Sequence, residues 1–299
     1  MSAEPIAPPA VDWSSIRPAV LAWFRQHGRS LPWRETRDAY AVLVAEVMLC
    51  QTQASRVAGR WERFLARFPS VEALARAPMS HLLDEWSGLG YNRRALQLHA
   101  TARVVVERHG GVVPDDPGAL RALPGVGGYV AAAVAAFAYE RPEPVLDVNV
   151  TRVLRRLAGV TRPAGLRALA SAAVPPAAAW AWSSALMDIG ATVCLPRRPR
   201  CDVCPLSPWC AARGALRAGV AEAVEAYASP RQAPYRGSRR EARGLAVRGL
   251  VRAGPGGLSP AELRPLLPDG HDALAVLRAL ARDGFCRERD GRFVVAEVE

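Results

Sequence analysis

Four cysteines fall within one stretch of 17 residues, and they restrict what this 299-residue chain can fold into. They are Cys194, Cys201, Cys204 and Cys210, separated by six, two and five residues. Four thiolates this close together hold zinc or an iron–sulfur cluster in other proteins. Structural zinc sites usually combine two closely spaced cysteine pairs across a longer loop, whereas this stretch contains one such pair. The spacing therefore favours a 4Fe–4S cluster over zinc or four unrelated buried cysteines, and it indicates a reducing compartment.

The charge of the chain points to a polyanionic partner. The formal net charge is +11, and all 39 basic residues are arginine. Such a surplus is typical of proteins that bind DNA, RNA or an anionic membrane. The longest uncharged stretch, 168–187, has two prolines in its middle, and the first residues lack an apolar signal core. We therefore expect a cytoplasmic protein that does not associate with a membrane.

Apolar residues recur with helical spacing through the first 220 residues, and no alternating strand pattern occurs before residue 240. The pattern predicts helices over 14–27, 39–53, 55–67, 70–76, 79–87, 92–109, 117–122, 129–138, 149–158, 165–173 and 178–190. Short helices and a hairpin signal at Asp290-Gly291 follow near the end of the chain, as in a winged-helix module. The predicted division is a disordered 1–12, an all-α domain over 13–228, a basic linker over 229–243 and a small α+β module over 244–299.

Two further motifs contain residues that can bind a phosphate or take part in catalysis. Gly125 and Gly127 lie in the turn Leu123-Pro-Gly-Val-Gly-Gly-Tyr129 between two predicted helices, where backbone N–H groups can approach a phosphate. Such a turn is also found as a plain connection between helices. Asp147 precedes another helix about twenty residues later. Its default role there is that of an N-cap.

Together, these motifs resemble the helix–hairpin–helix DNA glycosylase superfamily. The segments Leu31-Pro-Trp-Arg34, Glu46 to Gln53 and Trp86-Ser-Gly-Leu-Gly-Tyr91 are similar to those of the MutY-type adenine DNA glycosylases. The resemblance covers residues 13–212. It implies an all-α, two-lobed fold with a 4Fe–4S cluster on the four cysteines. It also implies a monomer that acts on double-stranded DNA in the nucleoid.

The resemblance assigns a role to each matching residue. Glu46 would protonate the target adenine, Asp147 would stabilise positive charge on the deoxyribose, and Asn149 would support Asp147. Tyr129 stands where strand-cleaving relatives carry lysine. Arg34 would contact the flipped base. The residues expected to fill the emptied stack and touch the opposite base are Gln51, Thr52 and Tyr91. Those expected near DNA phosphates are Gly125, Gly127, Arg197 and Arg198. Cys50 departs from the usual Gln-Gln-Thr of the family, which affects the opposite-base contacts.

The residue types also suit cleavage of an N-glycosidic bond when the family resemblance is set aside. Cleavage of an N-glycosidic bond needs an acid for the leaving base and a carboxylate beside an oxocarbenium-like carbon. Glu46 lies in an apolar run that can raise its pKa, whereas the alternative is a solvated helix face. A helix N-terminus favours an ionised Asp147.

The sequence therefore predicts a monofunctional glycosylase that removes adenine mispaired with 8-oxoguanine or guanine in base excision repair. Three alternatives are a glycosylase for thymine or uracil opposite guanine, a non-catalytic protein that binds damaged DNA, and an RNA-binding protein. The 56 residues of 244–299 are too few for the Nudix-like domain common in the family. Discrimination of the opposite base is thus expected to rest on Gln51, Thr52 and Tyr91. The arginines of the linker region would add non-specific affinity.

Overall fold

A computed structural model describes residues 11–160, 165–220 and 234–297 of the chain. Within these ranges the chain is helical except for one terminal hairpin. The helices are α1 Trp13–His27, α2 Ala39–Leu49, α3 Ala54–Arg67, α4 Val71–Ala75, α5 Met79–Glu85, α6 Arg93–His109, α7 Pro117–Ala122, α8 Gly128–Tyr139, α9 Val148–Ala158, α10 Leu166–Ala173, α11 Ala179–Asp188, α12 Arg213–Arg217, α13 Arg239–Ala253, α14 Pro260–Leu263 and α15 Ala273–Arg282. The strands are β1 Cys286–Arg289 and β2 Arg292–Val295.

The predicted all-α class with a small α+β end is confirmed, and most helices lie within two residues of their expected bounds. The predicted helix 39–53 is wrong at its end, because α2 stops at Leu49 and Gln51 has a φ of 58°. A non-glycine residue in the left-handed region cannot continue a helix. The predicted linker also ends too late, because residues 239–243 form the first turn of α13. Ser238 caps that helix by accepting a hydrogen bond from the Glu241 N–H.

Contacts along the chain divide it into two compact units, 1–39 with 128–231 and 40–127 with 232–299. In the first unit α1 packs against α11, and the Trp13 and Trp182 rings meet edge to face at 6.1 Å. Ile16, Val20 and Trp182 are buried in this core. Helix α11 continues into a short π-helix, Ile189–Val193, which leads into the cysteine-rich stretch. The first unit therefore contains the four clustered cysteines and Asp147.

In the second unit α4 packs against α6, and the core is built around aromatic rings. Phe64 lies 4.9 Å from Phe68 and 6.1 Å from Trp86, both edge to face. Helix α2 is buried along almost its whole length, since residues 40–48 are all buried. This unit contains Glu46, Gln51, Thr52 and Tyr91.

The C-terminal segment, for which a small winged-helix-like module over 244–299 was predicted, groups with the second unit by its contacts. Its hairpin pairs β1 with β2, Cys286 opposite Val295, and Leu258 adds a bridge to Phe293. Helix α13 packs on α5. The Glu297 carboxylate accepts hydrogen bonds from the Met79 and Ser80 N–H groups, so it caps a helix whose own N-cap residue is proline. None of the helices in the described ranges is both long and apolar enough to span a bilayer.

Candidate active site and cysteine cluster

Glu46 lies near the C-terminal end of α2 and is 2% exposed. Its neighbours Val44, Val47 and Met48 are buried as well. The alternative of a solvated helix face is therefore wrong. The structure thus places the Glu46 carboxyl group among apolar side chains, as the apolar run around it in the sequence predicts.

Asp147 is the N-cap of α9, as its position predicts. Its Oδ1 accepts a 2.6 Å hydrogen bond from the Val150 N–H, and its Oδ2 accepts one of 3.0 Å from the Asn149 side chain. Burial nevertheless raises the pKa of Asp147 above its ordinary value, although these bonds and the nearby Arg152 act in the opposite direction. Desolvation therefore acts against the preference of the helix N-terminus for the ionised form.

Asn149 is itself held in place by Arg152. The Arg152 guanidinium donates to Asn149 Oδ1 at 2.9 Å, to the Cys194 carbonyl at 2.8 Å and to the Gly190 carbonyl at 2.6 Å. Arg152 is 4% exposed. A chain of hydrogen bonds thus leads from the Asp147 carboxylate to the first clustered cysteine. Sequence reasoning missed Arg152, since one arginine among 39 gives no signal of its own.

Arg34 binds a buried carboxylate in this structure. Its two terminal nitrogens donate to Asp188 at 2.8 and 2.9 Å, and Arg29 adds a further bond at 2.7 Å. The Asp188 side chain is fully buried. Burial alone would raise the pKa of Asp188, but the bonds and charges of Arg34 and Arg29 hold that pKa below its ordinary value. Arg34 therefore has a structural role, and its contact with a flipped base stays a prediction.

Gln51, Thr52 and Tyr91 lie in two loops that one arginine joins. Arg94 donates to the carbonyls of Val47, Met48 and Cys50, all at 2.8 Å or less, and to Thr52 Oγ1 at 3.0 Å. The same guanidinium reaches the Gly90 carbonyl at 3.0 Å. It therefore satisfies carbonyls at the end of α2 and fixes the loop that carries Tyr91.

Gln51 and Tyr91 both have left-handed backbones, with φ of 58° and 47°. Non-glycine residues rarely adopt this conformation, and strain of this kind concentrates at functional sites. The left-handed backbone at both residues is a finding of the structure that their side-chain types do not predict.

The two glycines of the hairpin turn differ in what they require. Gly125 has a φ of 72°, and a Cβ there would lie 2.5 Å from the Gln97 Cβ. Gly127 has an ordinary φ, and a Cβ there would meet nothing within 4 Å. Gly125 is thus needed for the fold, whereas Gly127 leaves room for another molecule at the backbone. Tyr129 is half-buried in the first turn of α8.

The four clustered cysteines line one small cavity together with Arg213 and Ser207. Burial raises the pKa of Cys204 to about 12, and it also raises the pKa values of Cys201 and Cys210. No three His, Cys, Asp or Glu side chains in the described ranges are arranged to hold a single metal ion. Arg197 and Arg198 are exposed between the first two cysteines, as expected.

A buried arginine lies against these sulfurs. Arg156 is 0% exposed, and its guanidinium donates to Cys194 Sγ at 3.4 Å and to the Leu195 and Pro196 carbonyls. The Arg156 carbonyl in turn accepts from Cys210 Sγ. The four sulfurs and this buried guanidinium thus lie around one cavity, and thiolate sulfur is the ligand that iron–sulfur clusters use. The donor set therefore fits a cluster held by Cys194, Cys201, Cys204 and Cys210.

Comparison with known proteins agrees with this arrangement. Residues 44–175 match the HhH-GPD superfamily of base excision DNA repair proteins. Over 293 residues the chain is 40% identical to the adenine DNA glycosylase of Mycolicibacterium smegmatis, covering 94% of this chain and 97% of that protein.

Among solved structures, a thermostable thymine-DNA glycosylase matches with a TM-score of 0.64 and 32% identity, covering 68% of this chain and 98% of that one. A non-covalent endonuclease III–DNA complex matches with a TM-score of 0.60 and 20% identity, covering 70% of this chain and all of that one, which supports the fold alone. Since the similarity extends along nearly its whole length and its motifs hold a buried Glu46 and an Asp147 that caps α9, the chain belongs to the MutY-type adenine DNA glycosylases of the helix–hairpin–helix superfamily.

Proposed function

We propose that this DNA glycosylase hydrolyses the N-glycosidic bond of adenine mispaired with 8-oxoguanine or guanine in double-stranded DNA, and that it acts as a monomer. The observation that carries the choice of adenine is the burial of Glu46 in the apolar α2. A purine leaves more readily when a positioned acid protonates it, and Glu46 is the acid that we assign to that step.

The proposed reaction uses two carboxyl groups in different protonation states. Glu46 gives its proton to a ring nitrogen of adenine while the bond from C1′ to the base breaks and its electron pair stays with the base. The Asp147 carboxylate stabilises the resulting positive charge on the sugar. Water then adds to C1′ and loses a proton, which leaves an abasic site and free adenine. The base must leave the helix first, since its glycosidic bond is inaccessible in the stack.

We also propose that the four clustered cysteines hold a 4Fe–4S cluster that shapes this part of the fold. The cluster would fix the loop that displays Arg197 and Arg198, and the chain's own contribution is the buried Arg156 beside Cys194. Purified protein should contain about four iron and four sulfide per chain. Stoichiometric zinc in active protein would contradict this assignment.

Removal of thymine or uracil opposite guanine is a second candidate function. It is favoured by the 32% identity to the solved thymine-DNA glycosylase. The two functions differ in their need for Glu46, because pyrimidine removal depends less on a general acid at that position.

A panel of duplexes separates the two candidates. Adenine opposite 8-oxoguanine, adenine opposite guanine, thymine opposite guanine and uracil opposite guanine are each incubated with excess enzyme and scored for abasic sites. We expect abasic sites in the two adenine duplexes only, and Glu46→Gln should slow them about 10²–10⁴-fold while DNA binding persists. Excision of thymine or uracil alone would establish the second candidate instead.

A further inference from the structure

One serine lines the cavity of the four clustered cysteines, which we call the cysteine cavity. Ser207 lies between Cys204 and Cys210, and a short 3-10 helix, Ser207–Trp209, begins at it. Its backbone N–H donates to the Cys204 carbonyl at 3.0 Å, and its carbonyl accepts from the Cys210 N–H at 3.4 Å. The backbone of Ser207 is therefore tied on both sides to a proposed cluster ligand.

The hydroxyl of Ser207 is shielded from solvent but makes no hydrogen bond. Its Oγ is buried and has no partner among the residues that the structure describes. A buried hydroxyl that has lost water and gained no replacement is destabilising, and in native folds such groups are rare. The hydroxyl therefore requires an acceptor that the described side chains do not provide.

A water molecule in the cysteine cavity would not supply a good acceptor. A buried water makes about three hydrogen bonds of its own. Apart from Ser207 and two arginines, the described side chains that line the cavity are cysteines and apolar groups. Arginine has no acceptor atom, and the sulfur of a thiol is a weak one. The water would therefore lack acceptors for its own protons.

The charges around the cysteine cavity favour a negatively charged occupant. The buried Arg156 donates to Cys194 Sγ at 3.4 Å, and Arg213 lines the cavity. Asp202, the acid of the cysteine-rich stretch, pairs with Arg217 at 3.1 Å. No carboxylate from the described parts of the chain lines the cavity. An occupant that brings thiolate and sulfide sulfur would meet positive charge and one unused hydroxyl donor.

We propose that the Ser207 hydroxyl donates a hydrogen bond to a sulfur of the 4Fe–4S cluster and thereby raises its reduction potential. Hydrogen bonds to the sulfurs are among the factors that set this potential. The reduced state carries one more negative charge than the oxidised state, so a donor stabilises it more. Ser207 is thus a positioning residue next to the four ligands, and it makes the cluster harder to oxidise. The inference rests on the proposed cluster.

The first test measures the midpoint potential of one-electron oxidation at an electrode, on purified protein with its cluster. Ser207→Ala removes the hydroxyl. The control is Ser183→Ala, since the Ser183 hydroxyl is also buried without a partner in the described chain but does not line the cysteine cavity. We expect Ser207→Ala to shift the equilibrium about tenfold towards the oxidised state, which is about 59 mV lower in potential. Ser183→Ala should match wild type.

A second pair of variants separates the hydroxyl from the space that it fills. Ser207→Thr and Ser207→Val have side chains of nearly equal size, and only threonine keeps the hydroxyl. The potential of Ser207→Val should lie below that of Ser207→Thr by about the same tenfold shift in equilibrium. Iron and sulfide contents are measured for every variant, so that only loaded protein is compared. Equal potentials within both pairs would overturn the proposal.

A measurement on the wild-type protein does not depend on the folding of a variant. Heavy water replaces the hydroxyl proton by deuterium, so the iron–sulfur stretching bands in the resonance Raman spectrum should shift. We expect a smaller shift in Ser207→Ala than in wild type and Ser183→Ala. Bands that do not move in wild type would contradict the hydrogen bond. Failure of the proposed cluster would look different, because the wild-type protein would then contain no iron and show no such bands.

Discussion

At the scale of single residues, burial raises the pKa of Asp147, and the Val150 N–H and the Asn149 side chain act against it. The Asn149 side-chain N–H stabilises the charged form of the aspartate and therefore lowers a pKa that burial raises. The reaction needs the carboxylate, so excision should slow as the pH falls through this pKa. We expect Asn149→Ala to raise the pKa and move the acidic limb of the single-turnover rate profile to higher pH. The control is Gln26→Ala, which removes an exposed carboxamide from α1 in the same unit.

An unchanged acidic limb in Asn149→Ala, with a lower rate at every pH, would contradict this. It would mean that Asn149 acts on the geometry of the site and not on the charge of Asp147.

Arg34 offers a prediction about stability. Removal of one partner from a buried ion pair leaves the other charge uncompensated, which costs about 3 kcal/mol, and Arg29 offsets part of that here. We expect Arg34→Met to melt at a clearly lower temperature than wild type at neutral pH, and Arg34→Lys to fall between them. The pKa of Asp188 is lowered, so the contribution of the pair is present above the ordinary aspartate pKa. It is lost as the pH falls through the lowered value.

Thermal melts across an acidic pH series check both parts. The gap between wild type and Arg34→Met should narrow towards low pH, where Asp188 becomes protonated. A gap that stays constant over the series would show that the loss comes from packing and not from the ion pair.

At the scale of elements, the π-helix Ile189–Val193 depends on one glycine. A Cβ at Gly190 would lie 2.5 Å from the Asn149 Cβ and 3.1 Å from its backbone, while the Gly190 carbonyl accepts from Arg152. We expect Gly190→Ala to displace Asn149, which lowers both the melting temperature and the excision rate. Gly214→Ala in α12 is the matched control, since nothing lies within 4 Å of a Cβ there. Equal melting temperatures and excision rates for the two variants would show that the close approach of Gly190 to Asn149 is not required.

The helices themselves were predictable because their apolar residues repeat with the right period and turns separate them. Periodicity does not show where a buried helix such as α2 stops, since residues 40–48 are buried all round. The stop at Leu49 depends on Arg94, which binds the carbonyls at that end from a distant part of the chain. The local sequence around α2 does not predict a contact with a residue so far along the chain.

The burial of Glu46 and the N-cap position of Asp147 were predictable, because both residues stand in motifs. It was not predictable where a residue acts through a partner far along the chain. Asp188, Arg152 and Arg156 have no motif, and their roles follow only from burial beside Arg34, Asn149 and Cys194. The direction of the Asp147 pKa shift could not be predicted from the sequence either. Desolvation depends on the packed surroundings and not on the position of the residue in its helix.

At the scale of the whole molecule, the C-terminal segment is held to the second unit by more than apolar packing. Glu297 caps α5 across 218 positions of sequence. Loss of a helix cap costs about 1 kcal/mol, so Glu297→Ala should lower the melting temperature modestly and Glu297→Gln less. The exposed Glu288→Ala in β1 is the control. A melting temperature for Glu297→Ala equal to that of the control would contradict the capping role.

The composition of the whole chain also decides whether the enzyme cuts the DNA strand. Strand cleavage by β-elimination needs an amine that forms an imine with C1′ of the abasic sugar. All 39 basic side chains here are arginine, whose guanidinium stays protonated, and the phenol of Tyr129 cannot form an imine. We therefore expect adenine release with an intact strand that breaks only on alkaline treatment. Borohydride should trap no side-chain adduct with wild type or with the control Tyr129→Phe, whereas Tyr129→Lys should yield some. Trapping of the wild-type chain as fast as adenine appears would show that a nucleophile other than a lysine side chain serves the reaction.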